Sequence, residues 1–174
     1  NYDEIIPLMK IVKNKGANFH SVILLRGDPL DNSVKLPSFE KLDKLAIEMF
    51  NILETYDYGE NNFSAHLLKN YHRYLWKTSI ETLKKQTQVI PCLAGKSHMV
   101  VWGDGRVSSC EMLSEVGNIK EEPLKNILDG NKLKEQVKKI ENKECHCTHN
   151  CAMITSVLYN PSKWPNIVYQ KKPD

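Results

Sequence analysis

No apolar run in the 174 residues approaches the roughly 20 needed to cross a bilayer. Asn1 to Pro7 lack the charged-then-apolar order of a signal peptide. No membrane association is expected, and the setting read from the sequence is cytoplasmic. Neither sign of charge dominates: 24 Lys and Arg stand against 21 Asp and Glu, interspersed along the chain. Such a balance gives no basic stripe of the kind that holds nucleic acid. Cysteine is missing from the first 91 residues.

The sequence is 41% hydrophobic and 26% charged, enough for one ordinary core, or one core with a small satellite. It starts with Asn1 inside an apparent helix, and the expectation is a C-terminal portion of a longer protein. Four segments are expected: residues 1–60, a linking helix over 61–90, a cysteine-bearing module over 91–160 and a tail over 161–174.

Ile5, Leu8, Met9 and Val12 recur at helical spacing, and Gly16 can end that helix in the left-handed region. Phe19 to Leu25 is too continuous for a half-exposed strand and too short for an ordinary helix, so it reads as a strand buried on both faces. Arg26-Gly27-Asp28-Pro29 leaves its C-terminal end, where α/β folds place ligands; Arg26 and Asp28 are therefore candidate binding residues, with a capped turn as the competing reading. Ser38 should cap a helix with Leu42, Leu45, Met49 and Leu53 on one face. A second long helix should run from Phe63 to about Leu83, with His66, His72 and Trp76 as packing or surface groups.

From Pro91 the helical period stops. Ser97 to Trp102, Gly103-Asp104-Gly105 and Arg106 to Ser109 read as a β-hairpin. Pro123 opens a short helix that Asp129-Gly130 ends, and Asn131 is placed to cap another.

All five cysteines, Cys92, Cys110, Cys145, Cys147 and Cys151, fall within this second half. In a reducing compartment such crowding favours metal ligation over disulfides, and an odd number cannot pair fully within one chain. With the hairpin turning at Asp104, Cys110 lies opposite His98. Six extended residues would then carry Cys92 about 20 Å away, so the two meet only if Leu93 to Lys96 curls back, as Gly95 permits. Four thiolates from two distant regions complete a set for either zinc or a four-iron, four-sulfur cluster. Zinc modules prefer two close-spaced pairs, whereas 17 residues separate Cys92 from Cys110; His146 and His149 keep a Cys3His zinc site open.

Cys92-x12-Gly105-x4-Cys110, a gap holding Gly117-Asn118-Ile119 and a Pro-Leu-x-x-Ile-Leu helix, then Cys145-x-Cys147-x3-Cys151, resembles the SPASM and twitch auxiliary domains of radical S-adenosylmethionine (radical SAM) enzymes. The resemblance covers about residues 91 to 160. It implies an α/β chain: the helix, strand and helix that end a partial (β/α) barrel, then a small α+β SPASM/twitch module with a β-hairpin and cysteine cluster. It also implies one auxiliary 4Fe-4S cluster near the substrate. Cys92, Cys110, Cys147 and Cys151 are its favoured ligands, with Cys145 as the alternative, and Arg26 and Asp28 are candidates to contact S-adenosylmethionine or substrate. The family's Cys-x3-Cys-x2-Cys motif does not occur, so S-adenosylmethionine and its own 4Fe-4S cluster are expected in a missing N-terminal part. By the same analogy the partners are a peptide or small-metabolite substrate and a reductant protein of the flavodoxin or ferredoxin type. The whole enzyme would be a peptide-modifying oxidoreductase, this portion alone being inert. A zinc-bound interaction module and an electron carrier without catalysis are the competing classes.

Overall fold

The computed structural model describes residues 1–27, 29–58 and 61–169. The chain forms two compact units, one made of Asn1–Ile80 with the described residues from Ser162 on, the other of Glu81–Pro161.

In the first unit, helix α1 (Ile5–Asn14) stops at Gly16, whose φ of +87° is cheap only for glycine. Helix α2 (Phe39–Glu54) begins as its sequence demands, with the Ser38 hydroxyl accepting from the Lys41 N–H at 3.4 Å. It buries Leu42, Leu45, Met49, Phe50 and Leu53. The long helix α3 covers Asn62–Lys85, so the boundary between the units falls inside it.

The expected strand at Phe19–Leu25 is not formed. Val22 and Leu24 turn inward while Ser21 and Ile23 turn out, the two-residue alternation of an extended chain. Among the described residues, however, no backbone ladder reaches the segment, and a strand exists only beside a hydrogen-bonded neighbour. Nor is it buried on both faces, since Phe19 and Ile23 are 52% and 58% exposed. Helix, extended segment, helix is what these residues build, and no parallel β/α barrel element occurs among those described.

Phe19 stacks on Tyr58 with ring centres 5.8 Å apart, and Tyr58 lies 5.8 Å from His72, which also meets Tyr71. Trp76 is buried and His66 is exposed, its Nε2 accepting from the Asn70 Nδ2 amide at 3.1 Å. Burial, and secondarily the neighbouring charge of His20, pushes the His72 pKa down to about 4. The folded chain therefore resists a proton that the unfolded chain accepts at the ordinary histidine value of 6.5. Stability from this group is complete above pH 6.5 and is lost as pH falls toward 4. Urea unfolding at pH 7 and pH 4.5 should show a loss of roughly 2 kcal/mol that His72→Phe does not share. Equal acid sensitivity in both proteins would refute this account of His72.

The second unit holds an antiparallel sheet in the order β1 (Val100–Val101), β2 (Arg106–Ser108), β3 (Gly117–Asn118). Val100 faces Ser108 and Val101 faces Val107, the register expected of a hairpin turning at Asp104. The sequence reading contained no β3: Val107 pairs with Gly117, and a two-residue strand has no periodicity to read. Helices α4 (Leu124–Asp129), α5 (Asn131–Glu141) and α6 (Asn150–Leu158) follow. Asn131 is the first residue of α5 rather than its cap, because Gly130 already has the extended backbone of that position. Val107, Val116, Ile127 and Leu133 form the core between sheet and helices. After α6, a short helix α7 (Trp164–Val168) leaves Trp164 and Val168 largely exposed.

Candidate metal centre

Three stretches of the second unit carry the cysteines. Cys92 precedes a tight turn in which the Leu93 carbonyl accepts from the N–H groups of Lys96 and Ser97 at 3.0 and 2.9 Å, and the Gly95 N–H reaches the His98 carbonyl at 2.9 Å. Gly95 has φ of +78°, so the backward curl required to bring Cys92 toward Cys110 is present and rests on the glycine. Cys110 lies two residues past β2. Cys145 and Cys147 occupy the irregular stretch between α5 and α6, and Cys151 is the second residue of α6.

Cys92, Cys110, Cys145 and Cys147 line one cavity of about 220 Å³, together with His146, His149 and an apolar wall that includes Ile90, Met112 and Met153. Cys151 is exposed and is not part of that lining. None of the five forms a disulfide. The four cysteines share the lining of one cavity without closing on a point: among the described residues, no three His, Cys, Asp or Glu side chains are gathered as a site for a single ion. A cubane takes its thiolates at four separate corners, so its ligands surround a space.

Buried polar ties hold these stretches in place. Gln88, 7% exposed, accepts from the Cys92 N–H at 3.0 Å through Oε1 and donates from Nε2 to the carbonyls of Ile140 and Cys145 at 2.8 and 2.9 Å. The Leu93 N–H donates to the Ser156 hydroxyl at 3.3 Å, which fixes the Cys92 stretch to α6. His149 Nε2 lies 3.1 Å from the Glu111 carboxylate, joining the residue after Cys110 to the loop of Cys147. Gln136 of α5 accepts from the Ser109 N–H at 3.3 Å, just ahead of Cys110.

Burial and a shared cavity work against ionisation of these thiols. Burial pushes the Cys92 thiol up to about 11; the Ala94 N–H opposes the rise, while Cys147, Cys145 and Cys110 add to it. The Cys145 thiol is also raised, by burial first and then by Cys110 and Cys147. Four thiolates cannot share this cavity uncompensated, whereas a bound metal centre reverses the balance and holds them deprotonated. The chemistry of the donors thus fits an iron-sulfur centre.

Residues 92–152 match the SPASM family model, an iron-sulfur cluster-binding domain. The SPASM match takes in all five cysteines, the three-stranded sheet, α4 and α5. It is consistent with the C-terminal part of a SPASM-containing radical SAM protein, the resemblance drawn from the cysteine spacing. No curated protein and no solved structure matches the chain.

Of the other candidates, Arg26 is half-buried in the first unit and Asp28 lies outside the described residues. The sequence reading missed Gln88, Ser156 and the Glu111–His149 pair. A lone glutamine ahead of a proline carries no signal of burial, and nothing in a single sequence reveals which carbonyls it will meet. Among the described residues, no helix is long and apolar enough to cross a membrane.

Proposed function

We propose that the second unit binds one 4Fe-4S auxiliary cluster on Cys92, Cys110, Cys145 and Cys147, as part of a radical SAM enzyme working in the reducing cytoplasm. S-adenosylmethionine and the radical-generating cluster would belong to a part outside this chain. The substrate would be a peptide or small metabolite, and a flavodoxin- or ferredoxin-type protein would supply electrons. The observation that carries this reading is four thiols from three stretches around a single cavity, within residues matched to an iron-sulfur domain.

When bound, such a cluster supplies one-electron transfer or a Lewis-acidic iron close to the substrate. The chain's own residues do the holding. Gln88 ties the Cys92 N–H to the Cys145 carbonyl, and Ile90, Met112 and Met153 line the cavity with apolar surface. Limited solvent access is one means by which a protein sets a cluster's potential.

Anaerobic reconstitution tests the reading directly. The purified chain should turn brown and carry about four irons and four sulfides. A colourless protein with one zinc would reject the iron reading in favour of a zinc-stabilised module.

A further inference from the structure

A primary amide offers two N–H donors and one carbonyl acceptor, and Gln88 uses them on two cysteine-bearing stretches at once. Its Oε1 takes the Cys92 N–H, while its Nε2 takes the Cys145 carbonyl and the Ile140 carbonyl near the end of α5. The Ile140 carbonyl also accepts from the Lys143 N–H at 3.0 Å, so the carboxamide joins an already bonded helix end. Fifty-two residues of chain separate Cys145 from Cys92, yet one side chain, 7% exposed, spans the two. No other side-chain amide or hydroxyl described above bonds to the backbone of two cysteines. Both N–H groups of its Nε2 are thereby spent on the carbonyls of Ile140 and Cys145.

Resting on the cluster reading above, we infer that Gln88 is the positioning residue of this centre. Its carboxamide sets the spacing of the Cys92 and Cys145 ligands and slows the loss of the bound cluster. Ligands held in place by buried hydrogen bonds keep their metal longer than ligands on free chain. Without the tether the two stretches are free to part when iron dissociates.

The test compares the parent chain with Gln88→Leu and Gln88→Glu, each purified, checked for folding by circular dichroism without metal, and reconstituted anaerobically with iron and sulfide. Glutamate has the same length and keeps an acceptor for the Cys92 N–H, but it turns an acceptor toward two carbonyls and carries a charge. Both variants should release iron to a chelator on the order of 10-fold faster than the parent. Electron paramagnetic resonance of the reduced, loaded proteins should show shifted or broadened g values in both variants, because the ligand positions are no longer fixed. A purely structural glutamine would lower apo stability and leave the chelator rate and resonance of loaded protein where they were. If Leu does not fold, Glu carries the comparison. Loaded variants with the parent's chelator rate and resonance overturn the role of Gln88 alone. A parent that takes up no iron removes the cluster reading, and this inference with it.

Discussion

Cys110→Ser should leave the reconstituted chain without a stable cluster, whereas Cys151→Ser should keep the parent's full complement of iron and sulfide. The contrast follows from where the two side chains stand. Cys110 lines the cavity with Cys92, Cys145 and Cys147, while Cys151 is exposed on α6 and outside the lining. A serine hydroxyl is a poor substitute for thiolate at iron, because it must lose a far less acidic proton to coordinate. Losing one of four ligands removes a corner that nothing else at the cavity replaces in kind. Cys92→Ser, Cys145→Ser and Cys147→Ser should behave like Cys110→Ser. Iron and sulfide assays with the visible spectrum of each variant read the result. The competing set is the one the cysteine spacing alone favours, Cys92, Cys110, Cys147 and Cys151. Loss of the cluster in Cys151→Ser with retention in Cys145→Ser would establish that set and reject the one drawn from the cavity.

The disagreement over Cys145 and Cys151 marks how far the sequence could be read. Spacing told which residues were ligand candidates, because thiols crowd into one half of the chain for a chemical reason. It could not tell which of three neighbours faces inward. That depends on where α6 begins, and α6 starts at Asn150, so Cys151 is carried on its first turn. The helices were legible wherever one face repeats: Leu42, Leu45, Met49 and Leu53 in α2, with Ser38 as cap. The hairpin was legible because Gly103-Asp104-Gly105 admits little else, and its register came out as the turn dictates. Phe19–Leu25 was misread because hydrophobicity and β-branching report a preference for extended backbone, whereas a strand also needs a neighbour, which a local pattern cannot supply. Gly117 entered β3 for a tertiary reason too. A Cβ there would stand 2.8 Å from Ile127 Cγ1, a contact made by residues ten apart in sequence. The site was therefore legible in its donors and opaque in its supports, since Gln88, Ser156 and Glu111 act through backbone partners that only the fold brings near.

Gly95→Ala should lower the stability of the metal-free chain by roughly 2 to 4 kcal/mol, from two independent costs. One is local: φ of +78° places a Cβ against its own backbone, a conformation that side-chain-bearing residues rarely adopt. The other is tertiary. The new methyl would lie 2.7 Å from Val137 Cγ2 and 3.0 Å from Ser109 Cβ, both closer than carbon atoms pack. Val137 packs against the core formed by Val107, Val116, Ile127 and Leu133, so it cannot withdraw without loosening that core. Ser109 directly precedes Cys110, and the turn around Gly95 directly follows Cys92, so any relief of the clash moves a ligand. Gly103→Ala is the matched control: nothing lies within 4 Å of its Cβ, and its cost should stay within about 0.5 kcal/mol. Urea unfolding followed by circular dichroism measures both, and reconstitution of the folded fraction should give Gly95→Ala less iron than Gly103→Ala. If the two variants unfold at the same denaturant concentration, the turn at Gly95 tolerates a side chain, and the account of how Cys92 is brought back toward Cys110 fails.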